Sequence, residues 1–269
     1  MSSCTNHFFL TIFCASTVTF AHADTQEDQP LNLKMSGHIE AGLMHHSLTN
    51  NYGSWNGQFL RTVLQIDEKN IVNAELANSK QFGDNGTLLV LGLSHSLNKD
   101  WFANASISGS SGGFFLPRLR MDVSINRKWL EDQSLVTTIG FTAVNAKDDH
   151  KDRSVLLSAA YYFQQPWIIE GGIRFNRSNP GQVTSNAKFA AVTFNQDKLR
   201  EVSLRYDFGE EAYQLIGNNQ ALSQFDSHAL SLTWREWIMR NGGLQLRLES
   251  YKNPSYDRNG MELTWFQEF

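Results

Sequence analysis

The chain has 269 residues, enough for one large domain or two small ones. Only 19% of the residues are charged and the formal net charge is −4, which argues against a nucleic-acid-binding surface and against nucleic acid as a partner. Aromatic residues make up 12%, with 19 glycines and five prolines, and this mix favours strands and turns over long helices.

The first residues are predicted to be an export signal. A mostly apolar stretch over residues 8–20 precedes Ala21-His22-Ala23, a small-x-small cleavage site. We therefore predict a cleaved signal peptide at 1–23 and a short periplasmic segment at 24–35. The start of the chain lacks the usual Lys or Arg, so translation from Met35 is kept as an alternative. Both cysteines lie in the signal, so the mature chain is expected to have no disulfide.

Beyond the signal, the dominant period of the sequence is two. Apolar and polar side chains alternate along 118–126, 201–208 and 244–249, and alternate strand residues face opposite sides of a sheet. No apolar run of about 18 residues is available for a transmembrane helix. Fourteen strands are predicted, near 37–48, 57–68, 70–81, 87–98, 100–110, 118–130, 134–145, 153–164, 167–177, 186–195, 199–210, 226–239, 243–252 and 260–269.

Short turns and longer loops alternate between these strands, and the longest predicted loop covers 210–226. Short periplasmic turns and long external loops are typical of outer-membrane barrels, and an even strand count leaves both termini in the periplasm. We predict an all-β fold, a transmembrane antiparallel up-and-down β-barrel of about fourteen strands over 36–269. The predicted location is the cell outer membrane.

Aromatic placement supports a membrane barrel. Trp101, Trp129, Trp167 and Trp237 lie beside predicted short turns, and the first three fall on the apolar parity of their strands, as expected of an interfacial girdle. The alternative is a soluble sandwich with tryptophans at its strand ends. The last strand ends in Phe269, and this arrangement resembles the signal by which barrel assembly machinery recognises its clients. That machinery, outer-membrane lipid and lipopolysaccharide are the expected partners.

Two short stretches resemble the YaiO family of outer-membrane β-barrels. They are Phe115-Leu116-Pro117-Arg118-Leu119-Arg120, which leads into a strand, and Tyr251-Lys252-Asn253-Pro254-Ser255-Tyr256-Asp257-Arg258-Asn259-Gly260, which precedes the last strand. The likeness covers roughly residues 36–269. The resemblance implies an outer-membrane location and supplies no catalytic residues. Some relatives look linked to surface or exopolysaccharide systems.

Charged side chains on the polar parity are predicted to face the lumen. One interpretation is a water-filled lumen that binds or passes a polar, saccharide-like solute or polysaccharide, as a channel or a secretion-associated barrel. The other is a plugged lumen filled by its own ion pairs, in a structural barrel that displays surface loops. Buried charges must be paired in either case. The lumen-facing candidates are Arg61, Glu75, Arg118, Arg120, Asp122, Glu170, Arg174, Arg205, Asp207, Arg247 and Glu249.

We predict a non-enzymatic barrel with no cofactor and no metal. The weakest alternative is a lipid-face hydrolase, since His228 and Ser250 share the apolar parity near the outer ends of neighbouring strands. The predicted registers place them at different heights, and no third group orients the histidine. His45 and His46 are expected to be interfacial.

An acidic loop formed by Asp148, Asp149, His150 and Asp152 matches no defined calcium loop. A solvated turn is the expected structure there.

Overall fold

A computed structural model describes residues 35–148, 150–164, 166–217 and 220–269. The predicted signal peptide at 1–23, and all but the last residue of the predicted segment at 24–35, lie outside the described residues. Within the described ranges, no helix is long and apolar enough to cross a membrane.

The described chain forms fourteen β-strands. In chain order they are β1 Ser36–Leu48, β2 Ser54–Gln65, β3 Asn70–Gln81, β4 Asp84–Ser96, β5 Trp101–Gly112, β6 Leu119–Trp129, β7 Leu135–Asn145, β8 Lys151–Tyr162, β9 Trp167–Asn179, β10 Val183–Gln196, β11 Arg200–Gly217, β12 Gln220–Met239, β13 Gly242–Lys252 and β14 Asp257–Glu268.

The sheet closes on itself. Each strand pairs antiparallel with its sequence neighbours, and β1 pairs with β14 from His38↔Glu268 to Leu48↔Arg258. Closure satisfies the backbone groups that an open sheet would leave unpaired at its edges. The predicted all-β barrel of fourteen strands is confirmed.

One predicted connection is wrong. The region 210–226, expected to be the longest loop, continues β11 to Gly217 and β12 from Gln220, with pairs from Glu210↔Asp226 to Gly217↔Gln220. Neither edge of this extension pairs with the barrel wall, because the pairing of β11 with β10 stops at Ala187↔Gly209 and that of β12 with β13 stops at His228↔Lys252. We call residues 210–217 and 220–226 the capping hairpin.

The two faces of the wall differ as the period of two predicts. Large apolar side chains point outward and stay exposed, as for Leu43 at 64% and Ile139 at 58%. Trp129 and Trp167 also lie on this lipid face. Trp237 points inward instead, where its Nε1 donates to Glu268 Oε1 at 3.0 Å.

The buried apolar core lies inside the barrel at its outer end. This end carries the connections after β1, β3 and the other odd-numbered strands, whereas the start of β1 and the end of β14 lie at the periplasmic end. Trp55, Phe115 and Tyr256 are each 2% exposed or less there. The core therefore separates the middle of the lumen from the outside.

Candidate functional site

Arginine–carboxylate pairs line the inner wall. Three of them join residues two apart on one strand, because alternate side chains share a face. The closest nitrogen–oxygen distances are 2.7 Å for Arg120–Asp122, 2.7 Å for Arg205–Asp207 and 3.2 Å for Arg247–Glu249. In the first two pairs the arginine Nε donates to Oδ2 and Nη2 donates to Oδ1 of the aspartate, a bidentate geometry that makes such pairs strong and rigid.

Other pairs connect different strands across the interior. Arg61 donates from Nε to Glu75 Oε2 at 2.6 Å and from Nη1 to Glu262 Oε1 at 3.4 Å. Arg235 Nη1 on β12 donates to Glu40 Oε1 on β1 at 2.7 Å, although β13 and β14 lie between those strands. Only side chains that point into the lumen can make this contact.

Water reaches the middle of the lumen. The side chains of Arg61, Arg120 and Arg247 keep 27%, 21% and 25% of their surface exposed, although they point away from the lipid face. These groups border a polar interior space, because a filled core would bury them. The sequence-based expectation of open space in a barrel of this strand number fits this arrangement.

Two further charged residues occupy one side of this space. Arg174 Nη1 donates to Ser154 Oγ at 3.0 Å and to Thr142 Oγ1 at 3.2 Å. Glu170, four residues earlier on the same face, makes no hydrogen bond or ion pair within the described ranges and is half-buried. Its carboxylate is therefore available to a solute.

The structure places ten of the eleven predicted lumen residues on the inward parity, with Arg118 as the exception. Arg118 lies at the outer rim just before β6, is exposed, and donates from Nη2 to the Lys147 carbonyl at 2.9 Å. It belongs to the loops because the strand begins only at Leu119.

The sequence analysis missed one interior residue, Arg258. It was assigned to the last outer loop, but β14 begins at Asp257 and Arg258 donates to Glu249 Oε1 at 2.6 Å. The alternation of polar and apolar residues that follows Arg258 was the signal that could have identified it.

The capping hairpin covers the outer mouth of the lumen. Its side chains Ala212 and Leu215 are buried, and Phe114, from the loop between β5 and β6, packs against their cluster. That loop lies almost opposite β11 in the ring of strands. The hairpin must therefore cross the mouth to reach it.

Polar contacts anchor the same hairpin on the nearer side of the mouth. Tyr251 donates to Glu211 Oε1 at 2.8 Å, and Gln214 Nε2 donates to the Tyr256 hydroxyl at 2.6 Å. Asn253 Nδ2 donates to Gln214 Oε1 at 2.8 Å. These buried bonds fix the hairpin to β13 and to the loop that follows it.

Gly209 marks the point where the hairpin leaves the wall. Its φ is +133°, a conformation that side chains rarely adopt, and an added Cβ would lie 2.4 Å from the Asn186 carbonyl oxygen. A glycine is required here for β11 to bend over the mouth.

Aromatic rings fill the rest of the mouth. Trp55 and Phe82 lie 5.1 Å apart between ring centroids, and Tyr52 and Tyr256 lie 5.4 Å apart. Such pairs stabilise packing beyond the area that they bury. We call Tyr52, Trp55, Phe82, Phe114 and Tyr256 the mouth cluster.

The predicted acidic loop is only partly a solvated turn. His150 and Asp152 are 1% and 2% exposed, and His150 Nε2 lies 3.2 Å from Asp152 Oδ1. Tyr213 of the capping hairpin stacks on the His150 ring at 4.5 Å. Asp149 lies outside the described residues. Among the residues described, no group of three or more His, Cys, Asp or Glu is placed to hold a metal ion.

The lipid face carries the predicted His228 and Ser250. Their registers are His228↔Lys252 and Leu230↔Ser250, so they stand two residues apart along neighbouring strands. They share no hydrogen bond in the described part of the chain.

A different lipid-face set escaped the sequence analysis. His45 bonds both Ser47 and Asn56. The i, i+2 spacing of His45 and Ser47 was visible in the sequence, but the register that brings Asn56 to them was not.

Comparison with solved structures shows the same architecture at very low sequence identity. A monoaromatic hydrocarbon channel, CymD, aligns with a TM-score of 0.59 at 7% identity, covering 87% of this chain and 88% of that one. A bacterial polysaccharide outer membrane secretin gives 0.54 at 9% identity, covering 87% and 98%. Omp33 of Acinetobacter baumannii gives 0.51 at 10% identity, covering 87% and 99%. These likenesses establish the fold.

Comparison by sequence identifies a family but no curated relative. No curated protein matches the chain. The profile of the YaiO membrane beta barrel domain matches residues 36–214, two thirds of the chain, from β1 into the capping hairpin. The protein is an outer-membrane β-barrel and belongs to the YaiO family.

Proposed function

We propose that the barrel is a gated conduit for a polar, saccharide-like solute and that passage through its lumen involves no covalent chemistry. The observation that carries this proposal is the water-accessible middle of the lumen, which is bordered by arginines and carboxylates. A barrel that served only as a scaffold would gain nothing from keeping these charges hydrated.

The chemistry of the lining favours hydroxyl-rich solutes over ions. Guanidinium groups donate several hydrogen bonds in a plane and carboxylates accept them, so the two together suit sugar hydroxyls. Most lumen charges are already paired, as in Arg120–Asp122 and Arg205–Asp207, so the lining has little excess of either sign. The unpaired Glu170 is the first contact that we assign to the solute.

The capping hairpin supplies the gate. It and the mouth cluster cover the outer end, so passage requires the hairpin to move. The names of two structural neighbours describe a channel and a polysaccharide secretin, which supports a conduit as the class of function.

The second candidate is a permanently plugged barrel that displays its outer surface to a partner. The buried anchoring bonds of Gln214 and Glu211 favour it, because moving the hairpin breaks them.

Single-channel recording in planar bilayers separates the two functions. The key variant replaces residues 211–225 with Asn-Gly, a two-residue turn that suits the Glu210↔Asp226 register. We expect the wild type to be mostly closed and the variant to carry a steady current that added oligosaccharide blocks. Ser250→Ala, on the lipid face, should behave as wild type.

A solute that binds in the lumen should also contact Glu170. In the hairpin-less variant, Glu170→Gln should weaken oligosaccharide block and leave the current itself in place. Absence of any opening in the wild type would overturn the conduit and leave the plugged barrel, because deleting a permanent plug would open the lumen as well.

A further inference from the structure

We propose that Ser47, His45 and Asn56 form a serine-hydrolase site on the lipid face, directed at acyl esters of outer-leaflet lipids. This site is separate from the lumen, since all three side chains are exposed on the outward parity of β1 and β2.

The three side chains form a continuous chain of hydrogen bonds. His45 Nδ1 lies 2.8 Å from Asn56 Oδ1, and the Ser47 hydroxyl lies 3.4 Å from His45 Nε2. Backbone geometry brings them together, because His45 and Ser47 alternate onto one face and His45 pairs directly with Asn56. A nucleophile, a base and a group that orients the base are the three parts of a catalytic triad.

A fourth residue fixes the direction of this chain. Asn56 Nδ2 donates to Ser54 Oγ at 3.3 Å, which turns the Asn56 carbonyl oxygen towards the histidine. A carbonyl oxygen only accepts, so His45 must carry its proton on Nδ1. Nε2 then has a free lone pair that faces Ser47, which is the tautomer a general base needs. The long Ser47–His45 contact is expected of a site without substrate.

The depth of the site matches a lipid ester. On the outward face of β1, Leu43 lies two residues below His45 and is 64% exposed, and Met261 opposite His45 is 53% exposed. Above His45 the outward residues are polar: Ser47 pairs with Ser54 on one side and Asn259 on the other. Ser47 therefore stands about 13 Å along the strand from Leu43, at the boundary where acyl chains join their headgroups.

The chemistry is acyl transfer to water. Ser47 Oγ forms a bond to the ester carbonyl carbon while its proton moves to His45 Nε2. The carbon–oxygen bond to the lipid alcohol breaks, and that alcohol leaves with the proton from His45. Water, deprotonated by His45, then releases the fatty acid and restores Ser47. Two exposed polar residues lie beside the triad in the register, Asn259 opposite Ser47 and Lys80 opposite Asn56, and we assign to them the stabilisation of the oxyanion.

The full chain in phospholipid–detergent micelles provides the test. An alkyl fluorophosphonate probe should label Ser47 covalently with loss of fluoride, identified by peptide mass. A p-nitrophenyl laurate assay should report turnover. Ser47→Ala should abolish labelling, and Ser47→Ala and His45→Ala should each lower turnover at least about 100-fold.

Positioning by Asn56 is tested separately. Asn56→Ala should lower kcat about 10-fold, and Asn56→Asp should restore it because a carboxylate also accepts from Nδ1. Ser250→Ala and His228→Ala, on the same face, are the matched controls and should keep full activity. Folding of every variant is checked by its heat-dependent electrophoretic mobility.

Two results would each overturn the hydrolase site. Folded wild-type protein that takes no label on Ser47 and releases no more p-nitrophenol than Ser47→Ala would overturn the proposal. Labelling that persists in His45→Ala would also overturn it, because the serine would then be reactive without its base. Conductance is expected to be the same in Ser47→Ala and wild type, so this test stands apart from that of the conduit.

Discussion

Arginine–carboxylate pairs determine how the charged side chains of the inner wall are oriented. Glu249 accepts from both Arg247 and Arg258, at 3.2 Å and 2.6 Å. The three side chains are only 14% to 25% exposed, so the cost of removing their charges from water offsets much of their attraction and the pairs add little net stability. Their main effect is to hold each guanidinium in one orientation towards the lumen.

The outward face carries an unusual pair of like charges. Arg153 and Arg177 stand directly opposite each other on β8 and β9, above the apolar Val155 and Phe175. Like charges in this position repel unless an anion lies between them. We propose that a phosphate of lipopolysaccharide binds there, with its acyl chains on the apolar groove below.

Charge removal at this pair tests that proposal. Arg153→Gln combined with Arg177→Gln should lower the lipopolysaccharide that co-purifies with the barrel several-fold, measured as bound phosphate, because the phosphate loses two charge-assisted hydrogen bonds. Lys99→Gln, at an exposed periplasmic turn, is the control. Equal retention in the double variant and the control would count against the site.

The capping hairpin is the element that sequence alone did not resolve. The period of two predicted strands where one face meets lipid and the other meets the lumen. The capping hairpin has neither environment, since Ala212 and Leu215 are buried against the loop residue Phe114 and against Val183 at the outer end of β10. Their pattern therefore depends on tertiary contacts, and a loop was the wrong prediction.

Stacking by Tyr213 should stabilise this hairpin. Its ring lies 4.5 Å from that of His150, and such a pair contributes about 0.5–1.5 kcal/mol beyond its buried area. Tyr213→Ala should therefore speed hydrogen exchange across 210–217, while residues 201–209 in the wall stay protected. Tyr206→Ala removes a stacked ring on the lipid face and should leave the hairpin unchanged. Unaltered exchange in Tyr213→Ala would mean that the polar anchors alone hold it.

For the molecule as a whole, sequence predicted topology better than sites. Strand number, antiparallel order and the inward parity follow from alternation and turn spacing, which are local. Barrel closure brings Arg235 and Glu40 together although they are far apart in sequence, and the register of β1 with β2 places His45 beside Asn56. Those contacts depend on register, which the sequence did not define closely enough to place a triad.

The division of the wall into lipid and lumen faces predicts which tryptophans a quencher in the lipid can reach. Trp167 is 47% exposed on the outside, whereas Trp55 is 2% exposed inside the outer end. In vesicles of brominated phospholipid, a variant with Trp167 as its sole tryptophan should lose most of its fluorescence, because bromine quenches only by contact. A variant with only Trp55 should keep its emission, since the wall separates it from the acyl chains. Matching variants in unbrominated vesicles give the reference intensities. Strong quenching of Trp55 would mean that the mouth cluster faces lipid and that the inward parity is wrong.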